Sequence, residues 1–142
     1  MKVNIISPYE TSAEAFFTKL LDWKTDLVVD VRLHNTNQLA GFSKREDLDY
    51  FVRTIVKADY AYDASFTPNE DVLSSYLEHK IDWEDYFAEY KQEIEQANLV
   101  PEFLQKYGEH ESIALVGTGT KKRRSHVEVL QALIEEALDK KE

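Results

Sequence analysis

The stretch Leu27-Val28-Val29-Asp30-Val31 is apolar at successive positions, with Asp30 its one polar member. Successive side chains of a strand point to opposite faces. A strand apolar on both faces must be covered on both, the condition of a strand inside a parallel sheet flanked by helices. Three further short runs fit beside it, at residues 3–6, 60–62 and 113–116.

Between these runs the apolar period changes from consecutive to three and four, the spacing of one helix face. The stripes are Ala13, Phe16, Phe17, Leu20 and Leu21, and then Leu48, Phe51, Val52, Ile55 and Val56. After the third run come Val72, Leu73, Tyr76 and Leu77, then Trp83, Tyr86, Phe87, Tyr90 and Ile94. The last stripe is Val127, Leu130, Leu133, Ile134 and Leu138. Helix starts are expected at Thr11 or Ser12, at Ser43 with Glu46 completing a capping box, at Thr67 or Asn69, at Asp82 and at Ser125. A loop is expected from Leu33 to Phe42, and a short helical turn after Pro101. Strands alternating with helices predict a single α/β domain over residues 1–142. The architecture expected is a Rossmann-like, three-layer α/β/α sandwich with about four mostly parallel strands.

Composition removes several classes of chemistry. The chain has no cysteine, so disulfides, thiolate nucleophiles and cysteine-ligated metals are excluded. The four histidines, His34, His79, His110 and His126, share no metal-ligand spacing, so no metal or other cofactor is expected. The apolar run at residues 3–6 is too short for a signal peptide and no stretch could span a bilayer, so the expected location is the cytoplasm, away from membranes. The net charge of −10 opposes general nucleic-acid binding. Against it stands one local exception, Lys121-Lys122-Arg123-Arg124.

That basic run closes the strongest local motif, from Val116-Gly117-Thr118-Gly119-Thr120 to Ser125. It joins a buried strand to a helix. Glycines allow close backbone approach, and a helix start offers unpaired N–H groups and partial positive charge. These features suit phosphate, sulfate or carboxylate; the alternative is a solvated turn. The motif is not a P-loop. It is not the dinucleotide fingerprint either, because Lys122 stands at the third glycine position. At the end of the second strand, Asp30 and Arg32 lie on one side, as an anion-orienting pair or a structural ion pair. His126 opens the last helix beside the glycine loop, as an acid or base or as a surface histidine. The acidic helix face from Glu78 to Glu95 reads as solvated surface, with a basic protein partner as the other use.

The order of several short pieces resembles the bacterial DUF488 (YeaO-like) family. They are Asp30-Val31-Arg32, Gly41-Phe42-Ser43-Lys44, Phe66-Thr67-Pro68, Val72-Leu73 with Tyr76, and Ile81-Asp82-Trp83-Glu84-Asp85-Tyr86-Phe87 with Tyr90. The resemblance implies a Rossmann-like fold and no particular reaction. The family pattern ends its last strand in cysteine, with a glutamate nearby and Cys-His-Arg opening the final helix. Here Gly117 and Gly119 stand at the first two places and Ser125-His126-Val127 at the third, so only the histidine is kept.

Three functions follow as expectations. In the first, the domain binds a small phosphorylated or anionic ligand, a nucleotide or a nucleic-acid end among them. Gly117, Thr118, Gly119 and Thr120 would donate, Lys121, Arg123 and Arg32 would supply charge, and Ser125, Ser7 and Tyr9 would complete the site. In the second, an enzyme acts on a phosphorylated substrate there, with His126 as acid or base, Asp30 as its orienter or a second base, and Arg32 as a clamp on the transition state. In the third, the acidic surface meets a protein partner. The crevice requires the first strand to lie beside the last; neither that order nor the oligomeric state is written in a local pattern.

Overall fold

In the computed structural model, which describes residues 1–35 and 41–140, the apolar runs form one four-stranded sheet in the order β1-β4-β2-β3. The strands are β1 Lys2–Ile6, β2 Leu27–Asp30, β3 Asp59–Tyr62 and β4 Ser112–Val116, and every pairing is parallel. The last strand is therefore inserted between the first and second, and its five residues are all buried. The helices are α1 Ala13–Asp22, α2 Arg45–Phe51, α3 Glu70–Leu77, α4 Trp83–Gln96, α5 Leu99–Tyr107 and α6 Val127–Lys140.

Strand alternation divides the interior into two cores. Ile6, Val28, Ala114 and Val116 face α1, α2 and the segment after it, where Phe16, Phe17, Leu20, Leu48 and Val52 meet them. Val3, Leu27, Val29, Ile113 and Leu115 face α4, α5 and α6, with Tyr90, Ile94, Phe103, Leu130 and Ile134. This is the α/β/α sandwich of the sequence reading. Among the described residues, no helix is long and apolar enough to cross a membrane.

Local signals set most of the helix starts. The Ser12 hydroxyl accepts from the Ala15 N–H at 3.1 Å, Asn69 caps α3, and Asp82 and Asp85 form a reciprocal capping box on α4. Four expectations need correction. Ser43 does not cap α2; Lys44 holds the cap position without a side-chain cap bond, while Ser43 is drawn inside, where its carbonyl accepts from Arg32. The turn expected after Pro101 is a helix of nine residues, with Pro101 in the first turn, where a missing N–H breaks no helical bond. Leu21 and Ile55 are exposed, not core. Ile55 lies in a π-helical segment, Val52–Val56, whose wider turn keeps Val52 and Val56 inward and carries Ile55 out. The expected loop from Leu33 to Phe42 lies partly outside the described residues.

Candidate functional site

β1 leads into α1 on one face of the sheet and β4 into α6 on the other. Adjacent strands whose chains leave to opposite faces open a crevice at their carboxyl ends. Here it has a volume of about 440 Å³. One wall is the turn after β1, where Ser7 Oγ accepts from the Tyr9 N–H at 3.2 Å. Glu10 follows with φ at 59°, a left-handed conformation uncommon for a residue with a Cβ. The turn places its carboxylate on the opposite wall, accepting from the Lys121 N–H at 2.6 Å.

That opposite wall is the glycine loop. Its backbone is used differently from the sequence expectation. The Gly117 N–H donates to Ile6, the Thr118 N–H to Ser125 Oγ and the Thr120 N–H to Arg123, at 2.9, 3.2 and 2.8 Å. These three donors hold the loop in shape and do not face a ligand. Among the described residues, the Gly119 N–H and the Thr118 and Thr120 hydroxyls keep no protein partner. Ser125 lines the crevice and is also tied into the loop. Its hydroxyl receives Thr118 from across the loop, and its carbonyl accepts from the Glu128 N–H at 3.1 Å.

The two glycines are therefore unequal. A Cβ on Gly117 would lie 2.6 Å from Ser125 Oγ and 2.7 Å from a Val127 methyl; on Gly119 the nearest atom is 3.6 Å away. Gly117→Ala is expected to lose about 1–3 kcal/mol of stability by overpacking. Gly119→Ala should change it by less than about 0.5 kcal/mol. Urea unfolding of the two variants checks this; equal losses would contradict it.

Four cationic side chains, Lys19, Lys121, Arg123 and Arg124, line the crevice with two carboxylates, Glu10 and Glu128. Arg124 is committed: its guanidinium pairs with Glu128 at 2.9 Å and lies 4.5 Å from the centre of the Trp83 ring, while its carbonyl accepts from Tyr76. Among the described residues, Lys121 and Arg123 have no carboxylate partner for their side chains. Val127 and Glu128, in the first turn of α6, also line the crevice, bringing the positive end of that helix to it.

Arg32 does not flank the crevice. It is 2% exposed and turned into the protein. Its Nε and Nη2 donate to the two oxygens of Asp30 at 2.9 and 2.8 Å, and Nη2 also donates to the Ser43 carbonyl at 2.7 Å. Asp30 accepts further from the Tyr60 hydroxyl at 2.6 Å and the Asn35 amide at 3.3 Å. Burial and the Asp30 carboxylate push the Tyr60 hydroxyl far above its usual range. A carboxylate and guanidinium so fully satisfied, neither of them lining the crevice, suit the structural ion pair. It pins the chain after β2.

His126 is buried, not on the surface. Burial lowers its pKa to about 4, so the imidazole is neutral at physiological pH. Nε2 lies 2.8 Å from the Val31 carbonyl, which can only accept, so Nε2 carries the proton. Nδ1 is then an acceptor, 3.4 Å from Ser125 Oγ. As a catalyst it could take a proton at neutral pH but not begin as a cation.

A second cavity, of about 400 Å³, adjoins the first. Leu33, Pro68, Leu73 and Leu77 form its apolar side, and Tyr9, Thr120 and Arg123 line both cavities. Sequence reasoning placed Leu73 and Leu77 on a helix stripe and gave them, Lys19, Glu10 and His34 no part in a site. No sequence signal set them apart: the stripe on α3 reads like the others, and only in the structure is it seen to bury no residue completely. Among the described residues, no group of three or more His, Asp or Glu is placed to hold a metal.

A family model described as a domain of unknown function, DUF488, matches residues 12–134. No curated protein and no solved structure matches.

Proposed function

Since the chain belongs to the DUF488 family, whose description carries no reaction, we propose from its geometry that it binds a small phosphorylated or otherwise anionic ligand in the crevice between the β1 and β4 loops. One observation carries the reading. In a protein of net charge −10, four cationic side chains against two carboxylates gather in one concave site at the start of a helix. Such a local field attracts an anion while the rest of the surface repels a long polyanion. The ligand is then a small phosphate ester, a nucleotide or a terminal phosphate, with Lys121 and Arg123 supplying charge and Gly119 and Thr120 hydrogen bonds.

The helix terminus contributes only about 0.3–1 kcal/mol. Side chains must supply most of the rest. Lys121→Ala with Arg123→Ala is expected to remove contacts worth about 1.5–3 kcal/mol, roughly a ten- to hundredfold loss of affinity. Glu10→Gln should act in the opposite direction. The amide oxygen can still accept from Lys121, but the negative charge beside the ligand is gone, so binding tightens about two- to fivefold. The measurement is thermal stability against phosphate, sulfate, nucleotides and short single-stranded oligonucleotides. A ligand at about a hundred times its Kd adds about 2.7 kcal/mol, which raises the midpoint by roughly 5–10 °C. A shift that survives the double variant, or no shift with any anion, contradicts the proposal.

A further inference from the structure

A second cavity adjoins the crevice, walled on one side by α3. α3 carries Leu73 and Leu77 on one face, yet none of its residues is fully buried, and Leu77 is 39% exposed. A helix normally presents such a face to a core. Here that face walls the second cavity, of about 400 Å³, within the range of small-molecule sites. The cavity is bounded mainly by hydrocarbon, with Leu33 and Pro68 beside the two leucines. Arg123, Thr120 and Tyr9 belong to both cavities. An anion held in the first would therefore sit at the mouth of the second, with Arg123 at the junction.

Resting on the anion-site reading, we propose that the ligand is a phosphate ester with an apolar, ring-sized body: the phosphate lies against Lys121 and Arg123 and the body lies under α3. Tyr9, His34, Thr118, Thr120, Arg123 and His126 also reach this cavity, but against Leu33, Pro68, Leu73 and Leu77 the hydroxyls of a sugar would lose their water without replacement. Those four apolar side chains suit an aromatic or branched hydrocarbon body, whose burial is favourable in proportion to the area removed from water.

Calorimetric titrations with inorganic phosphate, glycerol phosphate, phenyl phosphate, 1-naphthyl phosphate and 1-naphthol test this. Naphthyl phosphate is expected to bind roughly ten- to a hundredfold tighter than inorganic or glycerol phosphate, with phenyl phosphate between, as burial of a ring-sized hydrocarbon implies. Leu73→Asn with Leu77→Asn should remove that advantage and leave the affinity for inorganic phosphate unchanged. Both substitutions fall on positions that are not fully buried, and a thermal melt verifies the fold. Lys121→Ala with Arg123→Ala should weaken every phosphate. Equal binding of inorganic and naphthyl phosphate would overturn the apolar-body proposal and leave the anion site standing. An aromatic advantage that persists in the leucine double variant would overturn it too, by placing the ring elsewhere. If naphthol binds as tightly as naphthyl phosphate and inorganic phosphate does not bind, the anion site itself fails.

Discussion

Arg32→Met is expected to lower the free energy of unfolding by about 3–5 kcal/mol, the range for removing one partner of a buried ion pair. Asp30 is 0% exposed and takes two of its hydrogen bonds from the Arg32 guanidinium. Methionine keeps most of the volume and provides no donor. The carboxylate would retain the Tyr60 hydroxyl and the Asn35 amide, but no opposite charge to offset its desolvation. For a domain with a total stability of about 5–15 kcal/mol, this brings the protein near unfolding. Arg32→Lys should fall between, because an ammonium cannot fork across both carboxylate oxygens. Asp30→Asn combined with Arg32→Met should recover much of the loss, since no uncompensated charge remains. Urea midpoints of the variants measure the series. A loss below about 1 kcal/mol in Arg32→Met would mean that water reaches Asp30 and that the pair does not pin the chain after β2.

The second large effect is on acid stability. The His126 pKa is lowered by burial from 6.5 to about 4. Between those values the unfolded chain binds a proton that the folded protein does not, so stability falls as pH falls. The contribution is fully present above pH 6.5 and is lost as pH approaches 4; it amounts to on the order of 3 kcal/mol. Within that window the slope approaches about 1.4 kcal/mol per pH unit, one proton taken up on unfolding. Glu93 acts with opposite sign: its pKa is raised by burial and by Glu89, which favours the folded form as acid is added. Asp63 has its pKa lowered in spite of burial, held down by bonds from Tyr107, Ser65 and Lys106. Its contribution is lost only below the window, as pH falls through that lowered value. His126→Gln keeps a donor for the Val31 carbonyl and removes the titration, so its stability should be nearly flat where the parent falls. Urea unfolding at pH 7, 5.5 and 4 compares the two; parallel curves would contradict the assignment.

The fold was legible because strand and helix patterns agree with each other. The apolar run of β2 required cover on both faces, and the stripes of α1, α4 and α6 supplied it. Turn residues marked the ends: Ser12, Asn69 and Asp82 cap as their chemistry suggests. Ser43 failed as a cap because a nonlocal partner, Arg32, binds its carbonyl inside the protein. No window of sequence around Ser43 contains that contact.

The crevice of the candidate site was legible in its position but not in its parts. The strand order places β1 beside β4, so Ser7, Tyr9 and the glycine loop do face one crevice. Which backbone donors remain for a ligand depends on contacts across the chain. Ile6 takes the Gly117 N–H and Ser125 takes that of Thr118. Arg32 and His126 show the same limit. Each is a polar residue at an element end, and each is turned inward by a partner on another segment, Ser43 in one case and Val31 in the other. Glu10 reaches the loop only through its left-handed turn. The apolar cavity was hidden because leucines on a helix look alike whether they meet a core or a ligand.

The most direct test of the anion site is a titration of isotope-labelled protein with inorganic phosphate, followed by amide chemical shifts. Saturable shifts are expected at Gly119, Thr120, Lys121 and Val127, around the crevice. Amides at the opposite end of the sheet, such as Glu111 and Ser112, which donate to Asp26, should stay in place. Absence of saturable shifts at the loop, or their concentration at another surface, would contradict the anion site.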